Sequence, residues 1–352
     1  MEIKPLRIGD LTAKVPVIQG GMGVGISLSG LAGAVAAGGG VGIISTAQIG
    51  YREDDWDKHP IEANLRAIGK EISKAKEIAN GNGPVGVNVM VATKEYERYV
   101  EAAVEAQADL IISGAGLPVD LPRMTEGSRT KILPIVSGLK SAQVICRYWE
   151  KKYHRYPDGV VIEGPLAGGH LGFSPEQLQD IEGLDYDKVI SEIIQYVKTY
   201  EDKAGREIPV IVAGGIYNRA DMEHALALGA AGVQVATRFV TTYECDAADA
   251  YKQAYIDAQK KDIVIVKSPV GMPGRAIYNP FMKKAAEGKI PHGKCHSCIS
   301  TCHPAETPYC ITESLINAVK GNVDDALLFC GANAYRAKKL EHVKEIMEEF
   351  GA

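Results

Sequence analysis

The sequence lacks any surplus of positive charge. Its 352 residues carry 39 Lys and Arg against 44 Asp and Glu, a formal net charge of -5. That balance argues against a general nucleic-acid binder or a basic membrane-surface protein. The start, Met1-Glu2-Ile3-Lys4-Pro5-Leu6-Arg7, has no apolar signal-peptide core, so the expected location is cytoplasmic. No charged residue occurs from Val15 to Tyr51, a length that could cross a bilayer. Its many glycines and serines instead suit a strand, a small-residue helix at Ser29–Ala37 and a second strand, and no membrane span is expected. There is no internal repeat beyond a β-α unit. An acidic residue is also missing about 20 positions after the first Gly-rich turn, Gly20 to Gly25. Val41–Ser45 is uncharged there, which excludes a Rossmann dinucleotide fingerprint.

What is present is a regular alternation. Short Val- and Ile-rich runs predict strands near Val15–Gln19, Val41–Ile44, Val85–Val91, Leu110–Ser113, Ile132–Val136, Gly159–Glu163, Val210–Ala213 and Val233–Val235. Their unbroken hydrophobicity suits strands buried on both faces. Helical patterns lie between them, at Ile61–Ala79, Lys94–Ala108, Ser141–Tyr153, Tyr186–Lys203 and Ala220–Leu228. Eight strands with intervening helices predict an α/β fold, a closed (β/α)8 TIM barrel, over an open doubly wound sheet. The expected division is a barrel over residues 1–265 and a loop plus cysteine-containing helical C-terminal extension over 266–352.

The most informative motif is Glu163-Gly164-Pro165-Leu166-Ala167-Gly168-Gly169-His170, directly after a predicted strand. Paired glycines let backbone approach a flat or anionic ligand, and His170 can exchange a proton near neutral pH. A second pair, Gly214-Gly215, and the run Gln234-Val235-Ala236-Thr237 follow the seventh and eighth strands, where barrels often hold phosphate. Backbone N–H groups there, with the Thr237 hydroxyl, could cradle it. A phosphorylated cofactor with its reactive ring near His170 is the expectation; the bland alternative is glycines that only shape tight turns. Lys140 could reach such a cofactor or sit solvated on a first helical turn. The basic, turn-rich Lys267 to Arg275 could cover the active face and meet an anionic substrate, or merely connect. Arg238 reads as a structural ion-pair former and His154 as a solvated helix end.

Gln19-Gly20-Gly21-Met22, Gly86-Val87-Asn88, Ser113-Gly114-Ala115-Gly116, Glu163 through His170, Ala213-Gly214-Gly215-Ile216 and Ala236-Thr237-Arg238-Phe239 together resemble one flavoprotein group. That group is the nitronate monooxygenase (2-nitropropane dioxygenase) family, which also holds flavin-type enoyl-[acyl-carrier-protein] reductases and some quinone reductases. The resemblance covers roughly residues 10–280 and implies an FMN-binding barrel. It places FMN contacts at Gly21, Met22, Asn88, Gly168, Gly169, Gly214, Gly215, Gln234, Ala236 and Thr237. Glu163 stands where members carry Gln or Glu, and His170 matches the active-site histidine. Ala236 replaces the usual Gly, and Gly116 to Pro122 replaces the usual Gly-Asn-Pro, so the substrate side differs.

Cys295, Cys298, Cys302 and Cys310 give the spacing C-x2-C-x3-C-x7-C, four of seven cysteines within sixteen residues. Without a secretion signal this argues for metal rather than disulfides. Four thiolates suit a [4Fe–4S] cluster or zinc; free or redox-active thiols are the bland reading. The spacing resembles the cluster loop of iron–sulfur flavoproteins of the 2,4-dienoyl-CoA reductase type, where the last gap is longer. Cys146, Cys245 and Cys330 read as packing, and Arg336–Phe350 as an amphipathic helix. The expected function is FMN-dependent oxidation of alkyl nitronates by O2 on a small-molecule substrate. The alternative is NAD(P)H-dependent reduction of an activated alkene or quinone, wired through a cluster. No nucleic acid or membrane partner is expected, and a homo-oligomer is compatible with the sequence. An FMN-binding redox sensor without turnover and a flavin-free phosphosugar barrel are the remaining readings.

Overall fold

A computed structural model describes residues 3–351. Residues 1, 2 and 352, which include the start of the segment examined for a signal peptide and the outer ends of the two expected domains, lie outside it. A short hairpin opens the fold, β1 (Leu6–Ile8) pairing antiparallel with β2 (Leu11–Ala13). Gly9 turns it with φ of +61°, a conformation open to glycine.

Eight parallel strands follow: β3 (Val17–Gln19), β4 (Gly42–Ser45), β5 (Val85–Met90), β6 (Leu110–Gly114), β7 (Lys131–Val136), β8 (Val160–Glu163), β10 (Val210–Ala213) and β11 (Gly232–Val235). Each pairs with its neighbour in chain order, and β11 returns to β3 with Val233 opposite Val17. Between β3 and β4 the ring closes through Gln19 N–H to the Val41 carbonyl and Val41 N–H to the Val17 carbonyl, each 2.9 Å. The TIM-barrel expectation holds, with the eight strands within two or three residues of the sequence reading. Hydrophobicity is continuous along these strands because both faces are covered. One face packs helices; the other meets inside the barrel, where Ile18, Ile43, Ile112, Leu133 and Ile211 form one core with Leu6 and Ile8 of the hairpin. The hairpin therefore plugs the N-terminal end and leaves the C-terminal strand ends open to chemistry.

Small residues set the helix-to-barrel distance on one side. Gly42 faces the helix Ser29–Ala37, and a Cβ there would lie 1.8 Å from the Ala32 carbonyl oxygen. The half-buried Asp246 carboxylate caps that helix, accepting from the N–H groups of Leu28, Gly30 and Leu31 at 2.8, 3.1 and 3.1 Å.

Beyond the barrel, β12 (Ile263–Lys267) and β13 (Pro273–Ile277) form an antiparallel hairpin, and β13 adds the two-residue strand β9 (Gly169–His170). The expected boundary after residue 265 falls inside β12. The final helix, Val343–Gly351, buries Val343, Ile346, Met347 and Phe350 at i, i+3, i+4 and i+7. These side chains share one core with Val17, Val35 and Val233 of the barrel. Arg238 fixes the helix through ion pairs of 3.0 Å to Glu341 and Glu349, in line with its structural reading. Among the described residues no helix is long and apolar enough to cross a membrane. Gly42→Ala is expected to destabilise the fold by at least about 2 kcal/mol through overpacking; urea unfolding of the variant against the parent checks it.

Candidate active site

All eight C-terminal strand ends line one cavity of about 390 Å³, a volume within the usual range for cofactor and small-ligand sites. Every residue expected to touch the cofactor lines it: Gly21, Met22, Asn88, Glu163, Gly168, Gly169, Gly214, Gly215, Gln234, Ala236 and Thr237, together with His170. Lys140 is exposed and does not line it, and His154 is an exposed helix C-cap.

The glycines are required sterically. A Cβ on Gly21 would meet the Asn88 Cβ at 2.5 Å, and one on Gly168 would meet the Cys330 carbonyl carbon at 2.5 Å. Gly214 and Gly215 hold φ of +91° and +89°, left-handed values that L side chains rarely adopt.

A segment of which the sequence reading named only Cys330, as packing, completes the wall. Phe329, Cys330, Gly331 and Asn333 enter the cavity lining between the loops after β8, β10 and β11. Asn333 Nδ2 donates to the Gly215 carbonyl at 2.6 Å, Ala332 N–H to the Leu166 carbonyl at 3.1 Å, and Gly331 N–H to the Thr237 hydroxyl at 3.0 Å. The Thr237 oxygen thus accepts from the protein and keeps its own proton for a ligand. Gly331-Ala332-Asn333, a small-residue run before an αβ-sized helix signal, carried no periodicity to mark it. Cys330 is buried as expected, and it contributes to the cavity wall as well.

The basic segment before β13 does fold over this face, since Val270 and Met272 line the cavity. Arg275 does not line it. Its guanidinium is buried and donates to the carbonyls of Pro165, at 2.9 Å, and Ala167. It therefore shapes the Gly-rich loop rather than meeting a substrate. The His170 ring packs edge-on against Phe329 with centroids 5.0 Å apart, and its Nε2 shares a 2.7 Å hydrogen bond with the buried Ser268 hydroxyl. Burial holds the His170 pKa down at about 4, so the ring is neutral at pH 7. Glu163, half-exposed to the cavity but far from bulk water, is pushed up to about 7 by desolvation. Tyr186 steadies that strand end, its hydroxyl 2.9 and 3.0 Å from the carbonyls of Ser137 and Glu163.

Of the four clustered cysteines only Cys298 lines the cavity. All four are free, and among the described residues no group of three or more His, Cys, Asp and Glu is arranged to hold a metal ion. His296 instead stacks on Trp56 at 3.9 Å and pairs with Asp57 at 3.0 Å, and His303 is exposed.

Residues 4–351 match the profile of the family described as Nitronate monooxygenase. The chain belongs to that family. It is 25% identical over 280 residues to (3aS,4S,5R,7aS)-5-hydroxy-7a-methyl-1-oxo-octahydro-1H-indene-4-carboxyl-CoA dehydrogenase of Mycobacterium tuberculosis. That match takes in 79% of this chain and 67% of the relative, so the chain spans about two thirds of the relative's length. A Staphylococcus aureus (strain JH9) protein named "Probable nitronate monooxygenase" is 23% identical over 310 residues, covering 80% of this chain and 81% of its own. Among solved structures, the FabK (M276A) mutant from Thermotoga maritima superposes with a TM-score of 0.72 at 25% identity, over 98% of this chain and 94% of that one. The family and its named relatives make this member of the nitronate monooxygenase family an oxidoreductase.

The raised Glu163 pKa has a consequence for stability. A carboxyl whose folded pKa lies above its unfolded value favours the folded state while protonated, below about 4.5, and loses that advantage as pH rises to about 7. In the ligand-free protein, Glu163→Gln is therefore expected to gain stability relative to the parent across that window. Paired urea midpoints at pH 5 and pH 8 check it; a constant difference between the two proteins would contradict the assignment.

Proposed function

We propose that the protein is an FMN-dependent oxidoreductase that oxidises alkyl nitronates with O2. The observation that carries this reading is the single cavity lined by strand-end glycines that no Cβ could replace, with His170 on the same wall. The fit to FMN rests on chain chemistry. Gly214, Gly215, Ala236 and Thr237 offer a phosphate cradle at the ends of β10 and β11, and Gly21 and Gly168 let Asn88 and the Cys330–Gly331 backbone close in behind the cavity wall. When bound, FMN supplies the electron-accepting chemistry, while the protein supplies orientation and electrostatics.

The neutral His170 ring acts as a hydrogen-bonding group and not as a fixed cation, oriented by Ser268 and Phe329. A positioned donor of this kind holds the nitro oxygens of an anionic nitronate where charge shifts during oxidation. Glu163, protonated below its pKa of about 7, adds no negative charge there to repel that anion. Above its pKa of about 7 it would, so KM for a nitronate is expected to rise with pH in the parent. The apolar outer wall, with Val270, Met272, Ile299, Leu315 and Phe329, accepts the alkyl part.

That same apolar wall and the FabK-like fold favour a second reading, NAD(P)H-dependent reduction of an activated alkene or quinone. In it His170 would polarise the substrate carbonyl or relay its proton. The substrate is a small molecule in either reading, and a homo-oligomer is compatible with both.

The test is a purification followed by visible spectroscopy, acid release of flavin, and turnover with alkyl nitronates plus O2 against NAD(P)H plus enone or quinone. Stoichiometric FMN and nitronate turnover are expected, with His170→Ala keeping FMN and losing about 100-fold in kcat/KM. A colourless protein that cannot be loaded with FMN, or full activity in the variant, would contradict the reading.

A further inference from the structure

A buried amide faces the cavity with no protein group to bind it. Gln48 lies in the loop after β4, is 5% exposed and lines the cavity. Its backbone holds a left-handed φ of +47°, a value that a non-glycine residue keeps only where the surroundings impose it. Two helices impose it here. Gly50 has no room for a Cβ, which would lie 2.5 Å from the Ala63 carbonyl carbon, so the loop rests directly on the helix Pro60–Ala79. From that helix the wholly buried Asn64 reaches under the loop and ties it to Tyr99 of the helix Tyr96–Glu105.

Hydrogen bonding fixes which way the Gln48 amide faces. A backbone N–H can only donate, so the Asn64 atom that meets the Gly50 N–H at 2.7 Å is its oxygen. The Asn64 nitrogen is therefore the donor to the Tyr99 hydroxyl at 2.6 Å and to Gln48 at 3.3 Å, and the Gln48 atom it meets is Oε1. Gln48 Nε2 is left without a partner among the described residues. It is not sealed in protein either, because the buried side-chain atoms that lack a partner are those of Trp56, Arg238, Thr241 and Tyr309. On so nearly buried a residue of the cavity wall, the free nitrogen has only the cavity to face.

The barrel places this donor usefully. β4 and β8 stand four places apart in a ring of eight strands, so Gln48 lies across the cavity from His170, which follows β8. In the loop after β5, next in the ring, the Thr93 hydroxyl is likewise buried, cavity-lining and without a hydrogen-bond partner among the described residues. Thr93 also bridges to Ile299 of the apolar outer wall. Among the described residues no Lys or Arg lines the cavity. An anion bound there is held by neutral donors, and a hydrogen bond from an amide to an ionised oxygen is one of the stronger kinds.

We propose that Gln48 is a substrate-binding residue whose amide nitrogen donates, opposite His170, to an oxygen of a planar two-oxygen anion such as a nitronate. The inference rests on the substrate reading given under the proposed function. The donor serves the substrate and not the flavin, whose phosphate cradle lies at the ends of β10 and β11.

The experiment is isothermal titration calorimetry of the purified full chain with butyrate, an unreactive carboxylate that presents the two-oxygen head of a nitronate on a short alkyl chain. FMN affinity and nitronate turnover are measured on the same preparations. At pH 6, where Glu163 is protonated, Gln48→Met is expected to bind butyrate about 10-fold or more weakly, with FMN affinity unchanged. Gln48→Glu keeps an oxygen for Asn64 and replaces the free N–H group with a second oxygen, and it stands in should Gln48→Met not fold. At pH 8 it should lose at least as much against the parent at the same pH. A parent that does not bind butyrate, parental butyrate affinity in the folded variants, or a loss of FMN affinity as large as the loss of butyrate affinity would overturn the inference. Butyrate binding that depends on Gln48 in a protein without nitronate turnover would refute the proposed function alone. Nitronate turnover with butyrate affinity unchanged in the variants would refute this inference alone.

Discussion

The active face depends on one buried cation. The Arg275 guanidinium lies on β13, almost wholly out of water, and its partners among the described residues are the carbonyls of Pro165 and Ala167. A buried charge is costly unless it is hydrogen-bonded, so these carbonyls are held tightly and the Gly-rich loop after β8 takes one shape. The same residue's carbonyl accepts from Cys330 N–H at 3.0 Å, which brings in the segment that closes the wall. One side chain thus connects the barrel loop, the β12–β13 hairpin and the Phe329–Asn333 wall. The two-residue strand β9, which carries His170, is the product of that junction.

Around this junction the chain balances close approach against polarity. Gly168 lies against Cys330 and Gly331 with no room for a Cβ, and Asn333 holds the Gly215 carbonyl. These contacts leave a cavity in which two titratable groups move in opposite senses. A depressed pKa of about 4 keeps His170 neutral, and a raised pKa of about 7 keeps Glu163 protonated on the acid side of neutrality. Desolvation causes both, because it disfavours whichever form is charged. An uncharged lining then suits a substrate or cofactor that brings its own negative charge.

The barrel was legible in the sequence because parallel strands covered on both faces write long apolar runs, and because the strand-end motifs mark the open end. Gly214, Gly215, Ala236 and Thr237 announced themselves by position after strands, and the structure brings them into one cavity with His170. What the sequence did not reveal was the reach of the extension. The basic segment ending at Arg275 read equally as a cover meeting an anionic substrate or as a connection, and only the burial of Arg275 shows that this residue serves the loop. Gly331 and Asn333 act through single hydrogen bonds to distant carbonyls, and such contacts leave no periodic signature. The N-terminal hairpin was missed for a similar reason: strands of three residues are too short to show an alternation. The cysteine spacing stood out at once, yet its place at the cavity mouth required knowing that the loop bridges back to Thr93.

The central claim is that the buried Arg275 contact shapes the cofactor cavity through the Gly-rich loop. FMN titration of the flavin-stripped protein, followed by quenching of flavin fluorescence, tests it directly when the parent is compared with Arg275→Met, a change that removes the donor and keeps the volume. The account predicts binding at least about 10-fold weaker, a loss of about 1.4 kcal/mol, in a variant whose barrel still unfolds cooperatively. Unchanged FMN affinity in a folded Arg275→Met protein would contradict it.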